Sequence, residues 1–343
     1  MARAPLPERL TAQGLAGEPL RTPEQVAERL LAVQGQDPRG ARLAVRARTS
    51  GLSAADVDRA LTDERSLLIT WLNRGTLHLV RSEDYPWLQA LTTPPLLTSA
   101  TRRLRQEYVS AEAAERGVET VERALAEEGP LTRAQLRERL ERADVPTAGQ
   151  ALIHLLFLSA VRGLVIRGPM VGKDHAYVLT RDWLGKPAPV DRDAALAELA
   201  RRYLVGHAPA DDRDLARWAG LPLRDARAGL AAIASELVER EDGLLELKKT
   251  PPPEPVPPPR LLGAFDPLLL GWTSREEVVG PHKTVATMNG IFRPFALVKG
   301  RAVSLWKLSA GKLTIEHLEK VTKKDTAALE AEAQAVLEFM ETR

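Results

Sequence analysis

The sequence predicts an α+β fold: three tandem helix–helix–helix–hairpin units, then a small antiparallel β-sheet or barrel closed by a terminal helix. Three observations carry that prediction. Helical and β-like stretches recur in the same order three times before residue 250. A proline run, PPPEPVPPP, then breaks the chain. Beyond it, apolar and polar residues alternate between turns at Gly290, Gly300 and Gly311 before KDTAALEAEAQAVLEFM turns helical.

The middle unit is the clearest. An Ala/Glu-rich helix, AAERGVETVERALAEEG, stops at Gly129-Pro130, and Thr132 caps the short helix TRAQLRERLERA. Pro146-Thr147 open an apolar third helix, AGQALIHLLFLSAVRG. LVIRG and HAYVLT, joined by PMVGKD, read as a hairpin. The third unit repeats the order with RDAALAELARRYLVGH, an acid-capped DRDLARWAGL and LRDARAGLAAIASE. Its hairpin LVEREDGLLELKK turns at Asp242-Gly243. The first unit is a looser copy, with TPEQVAERLLAVQ, DPRGARLAVRART and SAADVDRALTDE as helices. LLITWLN and TLHLV would pair around Asn73-Arg74-Gly75.

This order is the winged-helix plan, whose third helix can enter a DNA groove and whose hairpin is the wing. The expected divisions are 1–110, 111–185 and 186–250 for the winged helices, 251–260 for a stiff proline-rich linker, and 261–343 for the β domain with its helix. Tandem winged helices suit duplex DNA, although the same fold also serves protein interaction.

Composition narrows the function classes. The 343 residues carry 48 Lys and Arg against 46 Asp and Glu, so any nucleic-acid surface must be a local patch. RARTSG and TRRLR are the candidate runs, with a solvated helix face as the competing reading of each. The absence of cysteine excludes disulfides, thiolate catalysis and cysteine-ligated metal. The histidines show no metal-binding spacing, and there is no P-loop, GxGxxG or Gly-x-Ser-x-Gly pattern, so neither metal nor cofactor is expected. No apolar run reaches the roughly 18 residues of a membrane span, and the start lacks a signal-peptide core; a cytoplasmic protein is expected.

One stretch carries chemistry. In LAVQGQDPRG the helix TPEQVAERLLAVQ should end near Gln34 because Gly35 terminates helices, and Asp37-Pro38 should cap the next. If the junction is extended, Gln34 and Gln36 point to one side while Asp37 is occupied as a cap. The spacing alone favours the simpler reading, exposed glutamines at a helix joint.

VQGQDPRGA, WLNRGTLHLV, the tandem winged helices and the tail segment GIFRPFALVKGRAVSLW together resemble the winged-helix DNA glycosylases of the AlkZ/YcaQ type. The resemblance spans nearly the whole chain and is most specific in the first unit. That family carries two polar residues one position apart, Gln-x-Gln in the AlkZ-like branch and Gln-x-Asp in the YcaQ-like branch. Gln34-Gly35-Gln36 resembles the former, which implies Gln34 and Gln36 as the catalytic pair; the middle residue, usually apolar, is here Gly35. The resemblance implies a monofunctional repair glycosylase for cationic alkylated purines. It implies double-stranded DNA with alkylated bases as substrate, a monomer, and a nucleoid-associated location. Members of the family also excise bulky adducts and unhook interstrand crosslinks.

Further DNA-binding or lesion-proximal candidates are Arg39, Arg74, Thr76, His78 and Arg293. Alternation puts Thr76 and His78 on one face of the hairpin, and Arg74 at its tip can reach phosphate. A hydrogen-bonded sheet histidine is the competing reading of His78, and a structural turn that of Arg293. Asp266 and Arg275 are expected to form a buried ion pair, and His154 to be a core or interface residue. Two other functions stay open at this point: a non-catalytic winged-helix transcription regulator, which would dimerise on paired half-sites, and a protein-interaction scaffold.

Overall fold

Helix caps appear where the sequence puts them. In the computed structural model, which describes residues 5–341 except Lys173 and Met288, α1 (Leu6–Ala12) precedes the first expected element. The predicted PMVGKD loop and tail sheet each include one position, Lys173 and Met288 respectively, outside the described residues. Thr22 opens α2 (Pro23–Leu30) by accepting the Gln25 N–H at 3.2 Å, with Pro23 in the first turn. This helix ends at Leu30, earlier than expected, because Leu31 turns the chain with φ 62°. The turn buries Leu30, Leu31 and Val33 completely, so burial rather than Gly35 ends the helix. Then come β1 (Val33–Gln34), α3 (Pro38–Arg46) and α4 (Ala54–Thr62).

The first hairpin is β2 (Leu67–Leu72) with β3 (Thr76–Arg81), followed by α5 (Tyr85–Thr92) and α6 (Leu96–Gln106). The middle segment supplies α7 (Ala111–Glu128), β4 (Leu131–Thr132), α8 (Arg133–Arg142) and α9 (Ala151–Val161). It closes with β5 (Val165–Val171), β6 (Asp174–Leu179) and α10 (Thr180–Leu184). Thr132 and Gln135 form a reciprocal capping box on α8. α9 begins at Ala151, several residues beyond Pro146-Thr147, and is apolar all round, as a buried helix is.

The third segment is α11 (Arg192–His207), α12 (Asp212–Ala219) capped by Asp211, α13 (Leu223–Ala232), and the hairpin β7 (Leu237–Glu239) with β8 (Leu245–Leu247), where Gly243 takes φ 77°. The proline segment has no regular structure, and its Glu254 N–H donates to Thr11 Oγ1 at 2.9 Å. The tail comprises β9 (Arg260–Leu262), α14 (Glu276–Val279), β10 (Phe295–Val298), β11 (Arg301–Ser309), β12 (Lys312–His317) and α15 (Lys323–Met340).

The chain forms two compact units: residues up to 57 together with 196 onward, and residues 58–195. In the second, strand order β3-β2-β5-β6-β4 makes one sheet, with Ile69 of β2 opposite Arg167 of β5. The hairpins expected as two separate wings are therefore joined. The reason lies in β2, whose six residues are all buried, a pattern that needs neighbours on every side.

The discontinuous unit holds the two-stranded β7–β8 sheet and a four-stranded antiparallel sheet, β12-β11-β10-β9. Its distant segments are clamped together. Arg48, fully buried, donates through Nη1 and Nη2 to both carboxylate oxygens of Asp266 at 3.0 and 2.9 Å and through Nε to the Gln13 carbonyl at 2.7 Å. Arg46 grips Glu332 of α15 at 2.6 and 2.9 Å. The reading of RARTSG as a solvated face or DNA patch is thereby corrected at Arg48, which is buried on Asp266, while half-buried Arg46 is held by buried Glu332. The expected Asp266–Arg275 pair is corrected too: Arg275 donates to the Leu269 carbonyl at 2.6 Å and stacks on Phe292. Arg48 outcompetes it because its guanidinium satisfies two carboxylate oxygens and the Gln13 carbonyl at once.

Candidate active site and DNA-facing residues

The two glutamines follow from the backbone on either side of them. After the turn at Leu31 the chain is extended through Val33–Gln34, and Asp37 restarts the helix. Asp37 Oδ1 accepts the N–H groups of Arg39 and Gly40 at 2.9 and 3.1 Å, so its carboxylate is committed to α3. In an extended segment alternate residues share a side, and the amides do meet: Gln34 Nε2 donates to Gln36 Oε1 at 2.6 Å. Gln34 is buried and Gln36 exposed, with buried Gly35 between them. The Gln34 Oε1 atom is buried and has no hydrogen-bond partner. An amide oxygen removed from water without a donor is a cost that folding alone does not explain.

The start of α3 is fixed by contact with the tail segment. A Cβ on Gly40 would collide with the Ala264 carbonyl oxygen, so only glycine lets α3 approach that closely. Arg39, exposed, leans across toward the Leu308 carbonyl at 3.5 Å and lines a cleft with Leu43, Pro294 and Trp306. Arg293 is also exposed; its backbone N–H is held by the Val285 carbonyl at 2.9 Å. It borders a groove of about 270 Å³ with Trp306, Lys307 and Thr314. Trp306 is itself fixed by its indole N–H on the Leu262 carbonyl at 2.8 Å.

Arg74, Thr76 and His78 belong to the other unit. Cross-strand register sets Thr70 opposite His78 and Leu72 opposite Thr76, so the three polar side chains of Thr70, Thr76 and His78 share a face. His78 is buried, and its Nδ1 lies 2.8 Å from the Thr76 carbonyl, which requires Nδ1–H to donate and leaves Nε2 as an acceptor. Burial, then the neighbouring Arg74 charge, lowers its pKa to about 3 against the opposing backbone bond. His78 is therefore a neutral acceptor throughout the physiological range. The hydroxyls of Thr70 and Thr76 are buried without partners. Thr70 escaped the sequence reading, although a threonine inside LLITWL opposite a histidine is the signal that would have found it.

The hairpin tip is not a free wing tip. Asn73, Arg74 and Gly75 take φ 24°, 28° and 75° in succession. Asn73 is wholly buried, its N–H donating to Thr92 Oγ1 at 3.3 Å, while Arg74 reaches solvent. His154 lies half-buried on α9, its pKa lowered by burial. Among the described residues, no group of three or more His, Asp or Glu could hold a metal ion, and no helix is long and apolar enough to cross a membrane.

Comparison with known proteins identifies what the chain resembles. A family model described as DNA glycosylase AlkZ-like matches residues 27–339. An interstrand DNA cross-link repair glycosylase from Streptomyces sahachiroi is 28% identical, covering 91% of this chain and 89% of its own. The solved structure of the Streptomyces sahachiroi DNA glycosylase AlkZ superposes with a TM-score of 0.78 at 26% identity, covering 96% of this chain and 94% of that one.

Proposed function

Since the chain belongs to the AlkZ-like DNA glycosylases, we propose that Gln34 and Gln36 catalyse hydrolysis of the N-glycosidic bond of cationic alkylated purines in duplex DNA. The enzyme is monofunctional, with no lysine Schiff base, and its substrates extend to interstrand crosslinks, as the name of the Streptomyces relative suggests. The observation that carries this reading is the joined amide pair with one buried, unpaired carbonyl oxygen.

Alkylation of a purine ring nitrogen makes the base a cation. When the C1′–N bond breaks, its electron pair stays with the base, which leaves neutral, and the sugar passes through an oxocarbenium-like state. Gln34 Oε1 is an acceptor suited to orient the attacking water, and its dipole's negative end favours the developing sugar cation. The Gln34 amide, anchored on Gln36, is held in one orientation. Glutamine is too weak a base to take the proton, so the proton lost from water passes to solvent. If each oriented amide contributes about 2–4 kcal/mol, the pair supplies roughly three to six decades of rate. That suffices for a labile cationic base and falls short for an intact nucleoside, which would protect undamaged DNA.

Thr70, Thr76 and neutral His78 form a second polar face that we assign to lesion recognition, with Arg39, Arg74 and Arg293 on DNA phosphates. The element order of each segment supports the three-winged-helix reading with the divisions 1–110, 111–185 and 186–250, the 251–260 linker and the 261–343 β domain. We place the enzyme as a monomer on chromosomal DNA in the cytoplasm. A transcription regulator is not favoured, since a sequence reader has no use for a buried unpaired acceptor.

The test compares duplexes bearing a ring-methylated guanine or a crosslink through ring nitrogens. Wild-type protein should release free base or unhook the crosslink, and Gln34→Ala or Gln36→Ala should slow single-turnover release at least about tenfold. Unchanged release in both variants removes the pair from the mechanism, and no release by the wild type on either substrate removes the glycosylase assignment.

A further inference from the structure

The run TRRLR, left unassigned by the reading above, lies at the end of α6. Ala100 and Leu104 are the buried residues of this helix; Arg102 and Arg105 lie on the exposed arc opposite them, and exposed Arg103 on its flank. Among the described residues none of the three has a carboxylate partner; Arg103 reaches only Gln106 Oε1, at 3.5 Å. Elsewhere in the same unit Arg162 pairs with Glu115 and half-buried Arg139 with Glu128, while other exposed arginines, such as Arg116 and Arg137, stand singly and not in a run. The one acid next to the run, Glu107, is turned inward, its Oε2 accepting the Gln150 N–H at 3.0 Å where α9 begins. The positive patch therefore stands uncompensated.

Beside it, Tyr108 is 95% exposed and takes φ 60°. A tyrosine ring in water with a left-handed backbone carries two costs and no intramolecular return. Basic residues in a last helical turn complement the helix dipole, which explains Arg103 and Arg105 but not the ring.

We propose that the end of α6, with Arg102, Arg103, Arg105 and Tyr108, is a docking site for the sugar–phosphate backbone of duplex DNA, contributing affinity and not chemistry. This rests on the DNA-repair reading given above and adds a contact surface to it. The choice of occupant follows from charge: a guanidinium fork matches phosphate, and a tyrosine packs on deoxyribose while its hydroxyl donates to phosphate. Arg102 and Arg105 stand one helical turn apart on the same arc, so their long side chains can reach two phosphates of one strand.

The test measures affinity for an undamaged duplex across a salt series, and single-turnover excision at saturating enzyme, in the full chain. The triple variant Arg102→Gln/Arg103→Gln/Arg105→Gln should lower the slope of log K against log salt by about 2 and weaken binding on the order of 10–100-fold near 0.1 M salt. The saturated excision rate should stay within about twofold, as for phosphate contacts that position without reacting. Tyr108→Gly relaxes the backbone, so the melting temperature should hold or rise while binding weakens roughly three- to tenfold. Slope and affinity equal to wild type in the triple variant overturn the proposal and leave a solvated helix face. Salt-insensitive or absent duplex binding by the wild type would instead remove the DNA reading, and this site with it.

Discussion

At the scale of single residues, two side chains form the proposed chemical pair, and a third reports on the fold. Gln34 and Gln36 are joined by a 2.6 Å bond that uses one Gln34 N–H and leaves its carbonyl oxygen without a partner. His78 differs in kind: its environment, not its reactivity, is informative. Unfolded, it takes up a proton near pH 6.5; folded, only near pH 3. Between those values the unfolded chain binds the extra proton, so the stability that neutral His78 preserves is full above about pH 6.5 and is lost progressively as the pH falls toward 3. Denaturant midpoints should accordingly drop between about pH 7 and 4, and drop less in His78→Gln. Parallel pH curves for the two proteins would show that His78 is not the group responsible.

Elements meet closely at the start of α3. Gly40 brings that helix against the backbone at Ala264, and Gly263 completes the contact, a Cβ there lying 3.0 Å from Gly40 Cα. The site inherits this contact, because Asp37 and the glutamine pair lie just before it. Gly40→Ala must push backbone from backbone, since no flexible side chain can give way. Overpacking of this kind costs about 1–3 kcal/mol. Thermal melting should show the loss, and base excision should fall with it because the amide pair shifts with the helix. A Gly40→Ala protein that melts and reacts like wild type would mean that the contact is slack.

The whole discontinuous unit depends on ties between residues far apart in sequence. Arg48 and Asp266 join the first 57 residues to the tail segment, both fully buried. Removing one partner strands the other's charge, so Asp266→Ala should cost about 3–5 kcal/mol. An apolar pair, Arg48→Met with Asp266→Leu, should recover much of that, because no charge is then left unpaired. Urea unfolding of the single and double variants checks both; a single variant as stable as wild type would disprove the clamp.

What the sequence determined by itself is what nearest neighbours decide. Caps at Thr22, Asp37, Thr132 and Asp211, the turn at Gly243, and the shared side of Gln34 and Gln36 depend on a few residues' backbone angles and short polar side chains. The shared side of the pair was legible for that reason, since period two in an extended segment is local; its catalytic role was implied only by the family resemblance. Tertiary structure alone decided which charges meet, as when Asp266 took Arg48 over the nearer Arg275. It also joined the first two hairpins in one sheet, buried Asn73 at a tip that looked free, and left the Gln34 oxygen without a donor. These outcomes turn on which surfaces lose water together. With 48 basic and 46 acidic side chains to match, burial across long sequence separations selects the partners, and that selection leaves no periodic trace in the chain.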